Sequence, residues 1–362
     1  MIMTGLRGVG KTVLLNRFAE LAELAGWESI ELEASKHDET AFRQSIFSKF
    51  RAALLHISPR RRWSERARHA AEVLSSFVLS MDQSGTFSVT WDVDPSEGYG
   101  DHGDLGLDLT DVFLAVGDVA KEKETGIVLL IDEVQFLTTV QLESLIQAVH
   151  KSVQKKLPIT FVGAGLPQIA ELAGDAKSYA ERLFKFPRID SLTPEEARQA
   201  LVGPAETENV SYDEDAVDLA VNLTHGYPYF IQELGYQAWI VANGNRITAE
   251  DINIAKEAYE AKLDGSFFRV RLDRATPLQT AYMRAMAELG SEPQKAADVA
   301  SLMKRESSQV APIRSQLIDM GLLYTPQHGY AAFTVPDFDK FMMRAVPRLE
   351  VPEIHYRRRR GK

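Results

Sequence analysis

Two short stretches of this chain hold the residue types and spacings that could do chemistry. The first, Gly5-Leu6-Arg7-Gly8-Val9-Gly10-Lys11-Thr12, fits G-x-x-x-x-G-K-[ST], the pattern of a loop that wraps phosphates. Clustered phosphate charge demands many N–H donors and a backbone that side chains do not obstruct, which glycines provide. Gly5, Gly8 and Gly10 let the loop curl, Lys11 can reach the outer phosphates, and the Thr12 hydroxyl is of the type that ligates Mg2+. A helix opening at Lys11 and running through Val13 adds its positive end. The second stretch, Gly126-Ile127-Val128-Leu129-Leu130-Ile131-Asp132-Glu133, sets two carboxylates directly after five apolar residues. Asp132 suits a Mg2+ ligand, and Glu133 a base that polarises an attacking water.

Such residues work only if the chain places them. Residues 12–25 read as a helix with Val13, Leu14, Phe18, Leu21, Ala22 and Ala25 as its apolar stripe, ending at Gly26. Only Met1-Ile2-Met3-Thr4 precedes the loop, too short for a full buried strand, which suggests a start that is cut or misassigned. Residues 28–33 alternate as a strand, 38–57 and 64–79 read as helices, and 87–93 as another strand. Arg60, Arg61, Arg62, Arg66 and Arg68 form a local basic cluster, read as a solvated face. Residues 80–104 read as an insertion. Its Asp101, His102 and Asp104, with Asp108, are metal-ligand types, but acidic glycine loops are ordinarily turns. A helix at 104–122 leads into the apolar strand ending at Asp132, and the alternation predicts a parallel sheet buried on both faces.

A further helix at 139–156 and a strand at 158–163 follow. The tip of that strand carries Gly163 and Ala164 where a polar side chain could sense the terminal phosphate, with Gln168 as a nearby substitute. Arg182, before what reads as the last strand, could reach a neighbouring subunit's nucleotide; a surface salt bridge is the plain alternative. From Thr193-Pro194-Glu195-Glu196 the pattern turns helical, with helices near 194–201, 213–224, 229–242 and 249–263. Between the second and third lies Gly226-Tyr227-Pro228, a rigid turn that could meet the nucleotide base through Pro228. Residues 276–345 read as three helices and a hairpin, a winged helix. Its third helix offers Ser307, Ser308, Gln309 and Arg314, preceded by Lys304 and Arg305.

At 362 residues the chain is long enough for two or three domains. With 45% hydrophobic and 25% charged residues it has a globular composition, and no apolar run approaches the ~18 residues of a membrane span. Zero cysteines exclude disulfides and thiolate metal sites, and a cytoplasmic location is the expectation. The net charge of -10 is unevenly placed: residues 275–362 hold 13 Lys+Arg against 9 Asp+Glu, a net +4, leaving -14 on residues 1–274. Most of the excess is Arg357, Arg358, Arg359, Arg360 and Lys362.

Together these motifs resemble the AAA+ and STAND clade of P-loop ATPases, in particular bacterial and archaeal ATPases similar to origin-recognition initiators. Gly5–Thr12 matches Walker A, residues 127–133 match Walker B, and Gly226-Tyr227-Pro228 is similar to the STAND lid motif. The resemblance implies an α/β parallel-sheet P-loop NTPase core over 1–190, an all-α lid over 191–270, a winged helix over 275–346 and a basic tail over 347–362. It implies ATP and Mg2+ as ligands, ATP hydrolysis, assembly into a homo-oligomer and duplex DNA as a partner. The alternative it leaves is a regulatory switch whose winged helix contacts protein. The chain departs from the pattern in lacking a polar sensor after Val162, an Arg at the second sensor position of the lid, and the segment that usually covers the adenine.

Overall fold

The computed structural model describes residues 1–34, 39–79, 93–177 and 180–352, in two compact units. The expected strand at 87–93 and the basic tail at 357–362 fall largely or wholly outside the described residues. One unit is Met1–Gly5 with Gly10–Ile189; the other is Asp190–Lys362 together with Leu6–Val9.

The first unit runs β1 (Ile2–Thr4), α1 (Lys11–Leu24), β2 (Glu28–Glu33), α2 (Glu39–Ile57), α3 (Glu65–Leu79), α4 (Leu105–Glu122), β3 (Ile127–Asp132), α5 (Thr139–Gln154), β4 (Ile159–Gly165), α6 (Ile169–Ala176) and α7 (Ala180–Leu183). Its strands form a parallel sheet in the order β1-β4-β3-β2. The three residues of β1 are buried and paired, Ile2 with Gly163 and Thr4 with Gly165, so the short start does make a strand. It is flanked on its other side by the extended stretch that was read as a last strand. Ile2 N–H donates to Lys185 O (2.8 Å), Thr4 N–H to Pro187 O (2.9 Å) and Ile189 N–H to Thr4 O (2.7 Å).

The apolar run of β3 divides between two cores, as alternation requires. Ile127, Leu129 and Ile131 join Phe50, Phe113 and Leu145 on the face covered by α2 to α5, while Val128 and Leu130 meet Leu15 and Ala19 of α1. That second contact corrects the expected stripe of α1. Val13 is 67% exposed, and Leu14 and Leu21 also face out, because the row through Leu15 and Ala19, with Phe18 and Ala22 from the expected stripe at its edge, is the one that packs with Met3, Val162 and Ala164 of the sheet.

The second unit begins with α8 (Pro194–Thr207), β5 (Ser211–Tyr212), α9 (Glu214–Thr224), α10 (Pro228–Val241), β6 (Arg246–Ile247), α11 (Ala249–Lys262), a π-helical turn at Leu263–Phe268 and α12 (Arg269–Leu272). Capping boxes fix the starts of α8 (Thr193 with Glu196) and α11 (Thr248 with Asp251). The expectation of an all-helical lid needs one amendment: Ser211–Tyr212 and Arg246–Ile247 pair in parallel, a two-residue ladder joining two interhelical loops. Then follow α13 (Pro277–Leu289), β7 (Gln294–Lys295), α14 (Ala296–Leu302), α15 (Ser307–Asp319), β8 (Leu323–Tyr324), β9 (Tyr330–Phe333) and α16 (Phe338–Ala345). Here β7 adds to the hairpin as a third antiparallel strand, in the order β7-β9-β8. Phe268 stacks on Phe341 (centroids 5.2 Å apart) and meets Phe230 and Phe338 edge-on, an aromatic core that links the π-helical turn, α10 and α16. Among the described residues no helix is long and apolar enough to cross a membrane.

Candidate functional site

Parallel sheets present ligand sites where their strands end, and the candidate residues gather at that edge. The loop leaves β1 with Gly5 N–H donating to Gly165 O at 3.1 Å. Gly8 (φ +85°) and Gly10 (φ +93°) take the left-handed region that side chains disfavour, and Gly10 caps α1. Lys11 is buried and its Nζ donates to Gly5 O at 3.0 Å, so its ammonium is folded against the loop it belongs to. Thr12 Oγ1 donates to Asp132 Oδ2 at 2.5 Å across 120 positions of sequence. A hydroxyl and a carboxylate oxygen in contact are hard donors of the kind Mg2+ takes, and the residues present fit that ion. A cavity of about 230 Å3 opens beside them, lined by Thr12, Asn16, Glu33 and Asp132 among others. Glu33 lies opposite Asp132 in the strand register, so a further carboxylate borders this corner.

Glu133 follows Asp132 in a left-handed conformation (φ 53°) with its N–H on Asp132 Oδ1 at 2.8 Å. This backbone state is costly for a residue with a Cβ, and it bends the chain out of the strand at its tip. The side chain of Gln135 donates to Glu133 Oε2. Sequence reading missed Gln135, since nothing in the spacing marks a Gln two positions on. At the tip of β4, Gly163 and Ala164 are buried without polar side chains, and Gln168, the named substitute, keeps its Oε1 buried with no hydrogen-bond partner among the described residues.

The remaining candidates are dispersed. Arg182 lies on α7, exposed and without an ion pair among the described residues. Pro228 is the first residue of α10. Within the second unit Leu6–Val9 run beside that helix start: Tyr229 N–H donates to Gly8 O (3.2 Å), Arg7 N–H donates to Thr334 O (3.3 Å), and a Cβ on Gly8 would lie 3.0 Å from the Tyr227 hydroxyl. Burial pushes the Tyr227 phenol well above its ordinary pKa. Gly226 is required where it stands, with φ +69° and the position of a Cβ 2.3 Å from Leu192 O. On α15, Gln309 accepts from Glu306 N–H as part of a capping box and Arg314 donates to Thr325; just before the helix, Arg305 donates to Pro352 O. Lys304, Ser307, Ser308 and His328 remain exposed. The acidic loop holds its own groups: His102 pairs with Asp111 (2.9 Å), its N–H donates to Asp108, and among the described residues no three ligand types converge as a metal would need.

Residues 1–162 match the AAA ATPase domain family. Over this stretch the chain is similar to AAA ATPase domains, and its parallel sheet and phosphate-binding loop fit that likeness. Beyond that domain, residues 265–342 match a family described as a domain of unknown function, DUF8462. The Walker-type ATPase of Pyrococcus abyssi has a similar fold at 16% identity, with a TM-score of 0.58 over 94% of this chain and 90% of its own. Weaker likenesses are Orc1 of Aeropyrum pernix in complex with DNA (15% identity, TM-score 0.43, 96% and 86% of the two chains) and the RuvB Holliday junction branch migration motor of Thermotoga maritima (14%, 0.43, 97% and 87%). No curated protein matches the chain. At 16% identity the first of these likenesses speaks to the fold alone.

Proposed function

We propose that this protein binds ATP with Mg2+ and hydrolyses it, and that nucleotide state governs DNA contact through a winged helix formed by α13 to α15 and the β7-β9-β8 sheet. The observation that carries the reading is the contact of Thr12 Oγ1 with Asp132 Oδ2, with Glu133 next in the chain. In this scheme the amides of residues 8–12 and the Lys11 ammonium hold the phosphates, and Thr12 and Asp132 hold the ion. Held by Thr12 and Asp132, Mg2+ would supply positive charge to offset that of the phosphates. Water attacks the γ-phosphorus, the bond to the bridging oxygen breaks to leave ADP, and Glu133 takes the proton. Isothermal titration and phosphate release test this. Lys11→Ala loses ATP binding, whereas Glu133→Gln keeps binding and loses about 100-fold or more of turnover, the lower range for a general base. Wild-type turnover in Glu133→Gln refutes the role. We assign Arg182 to a neighbouring subunit's site in a homo-oligomer, because it is exposed and unpaired among the described residues. Arg182→Ala then lowers turnover only under conditions where the protein self-associates.

Exposed Lys304, Ser307, Ser308 and His328, with the basic tail, would supply the DNA contacts. Phosphate neutralisation makes affinity fall with salt by about 0.9 log units per log unit for each contact. Deleting residues 357–362 should therefore flatten the salt slope by several units, read by fluorescence anisotropy of labelled duplex. A second reading, a switch whose winged helix contacts protein, is favoured by the engagement of Gln309, Arg314 and Arg305 with their own domain, which leaves few side chains to read bases. Absence of duplex binding at low salt with both ATP and ADP selects it.

A further inference from the structure

We propose that Gln135 is a positioning residue for hydrolysis, holding the Glu133 carboxylate to the tip of β4. Three observations carry this. Gln135 lies on the 3-10 turn Val134–Phe136 that follows Glu133, and its Nε2 donates to Glu133 Oε2. Its Oε1 accepts from Leu166 N–H at 3.0 Å, just past the end of β4. Because a backbone N–H can only donate, Oε1 must face Leu166, so the amide's donor end must face Glu133; the network fixes the side chain's orientation. The third observation is Gly165. A Cβ there would lie 2.8 Å from Gln135 Oε1, so glycine at this position leaves the amide its room.

The link has a mechanistic use. The tip of β4 offers no polar side chain of its own at Gly163 to Gly165, yet through Leu166 and Gln135 it is joined to the group assigned as base. A base acts only within hydrogen-bond reach of the water it deprotonates, and Glu133 leaves the tip of β3 in a left-handed backbone state, so the direction of its side chain decides that reach. Gln135 provides that hold, so a shift of the β4 tip reaches Glu133 through Leu166 and Gln135 as well as the phosphate-binding loop through Gly165.

The proposal rests on the hydrolysis reading above, and the experiment separates the two. Wild type, Gln135→Ala and the isosteric Gln135→Glu are compared for ATP affinity by titration calorimetry, for kcat by phosphate release, and for folding by thermal melts. In Gln135→Ala, kcat falls about tenfold or more while the Kd for ATP stays within about twofold, a share of the ~100-fold a general base contributes. In Gln135→Glu, the residue keeps its size and loses the amide that donates to Glu133, so kcat falls at least as far as in Gln135→Ala while the Kd for ATP again stays within about twofold. Normal kcat in Gln135→Ala, normal kcat in Gln135→Glu, or a parallel loss of affinity and kcat overturns the positioning role alone. A wild-type protein that binds ATP and releases no phosphate overturns the hydrolysis reading and this role with it.

Discussion

Removing Arg43 should cost the first unit more than any surface change, because its partner cannot remain charged and buried alone. Arg43 is 1% exposed and Asp108 fully buried; their guanidinium and carboxylate meet at 2.9 Å between α2 and α4. Arg43 also donates to Glu39 (3.0 Å) and to Phe77 O (3.3 Å), with its guanidinium 4.9 Å above the Phe77 ring, so one side chain joins three helices. Asp108 accepts one further bond, from His102 N–H at 2.8 Å. Arg43→Met keeps the aliphatic volume and leaves Asp108 with that bond alone. Breaking a buried pair on one side costs about 3–5 kcal/mol. With a urea m-value of about 2 kcal/mol/M, the midpoint should fall by about 2 M, read by Trp27 and Trp63 fluorescence. The double variant Arg43→Met with Asp108→Asn should recover most of the loss, since the amide is neutral and still accepts from His102. ATP binding should persist at low temperature, as none of these groups lies at the phosphate loop. A midpoint shift under about 0.5 M, or a double variant no more stable than the single, refutes the reasoning.

Gly226→Ala should destabilise the second unit by about 1–3 kcal/mol through its left-handed backbone, and further through the clash with Leu192 O, visible as an earlier melt of that unit. Thr12→Ala and Asp132→Ala should both weaken the Mg2+ dependence of ATP affinity, and the pair together should lose little more than either alone, because each donor serves one ion. His102, whose pKa is raised chiefly by its hydrogen bond to Asp111, contributes stability that is full below the unfolded value of about 6.5 and is lost as pH rises through the raised folded value. A His102→Gln variant should therefore show a flatter thermal midpoint between about pH 6 and 8, by a degree or two given the ring's exposure; an unchanged pH profile would count against the pairing.

Local rules were enough for much of this molecule. The glycines and Lys11-Thr12 needed no neighbour to be recognised, because a phosphate loop is specified by backbone freedom over eight consecutive residues. Five apolar residues before Asp132 sufficed for β3, since a strand buried on both faces has no polar alternation to satisfy. Thr193-Pro194 announced α8, as capping acts within one turn. What distance decides was hidden. Which row of α1 is buried depends on the width of the sheet that meets it, so Val13 and Leu21 face out although their spacing is helical. The pairing of Gln294–Lys295 with β9 comes from a partner far along the chain, and a segment of two residues carries too little periodicity of its own. Gln135 belongs to the same class. Its significance lies in a carboxylate two residues before it and an amide thirty-one residues after it, and only folding brings the second within reach.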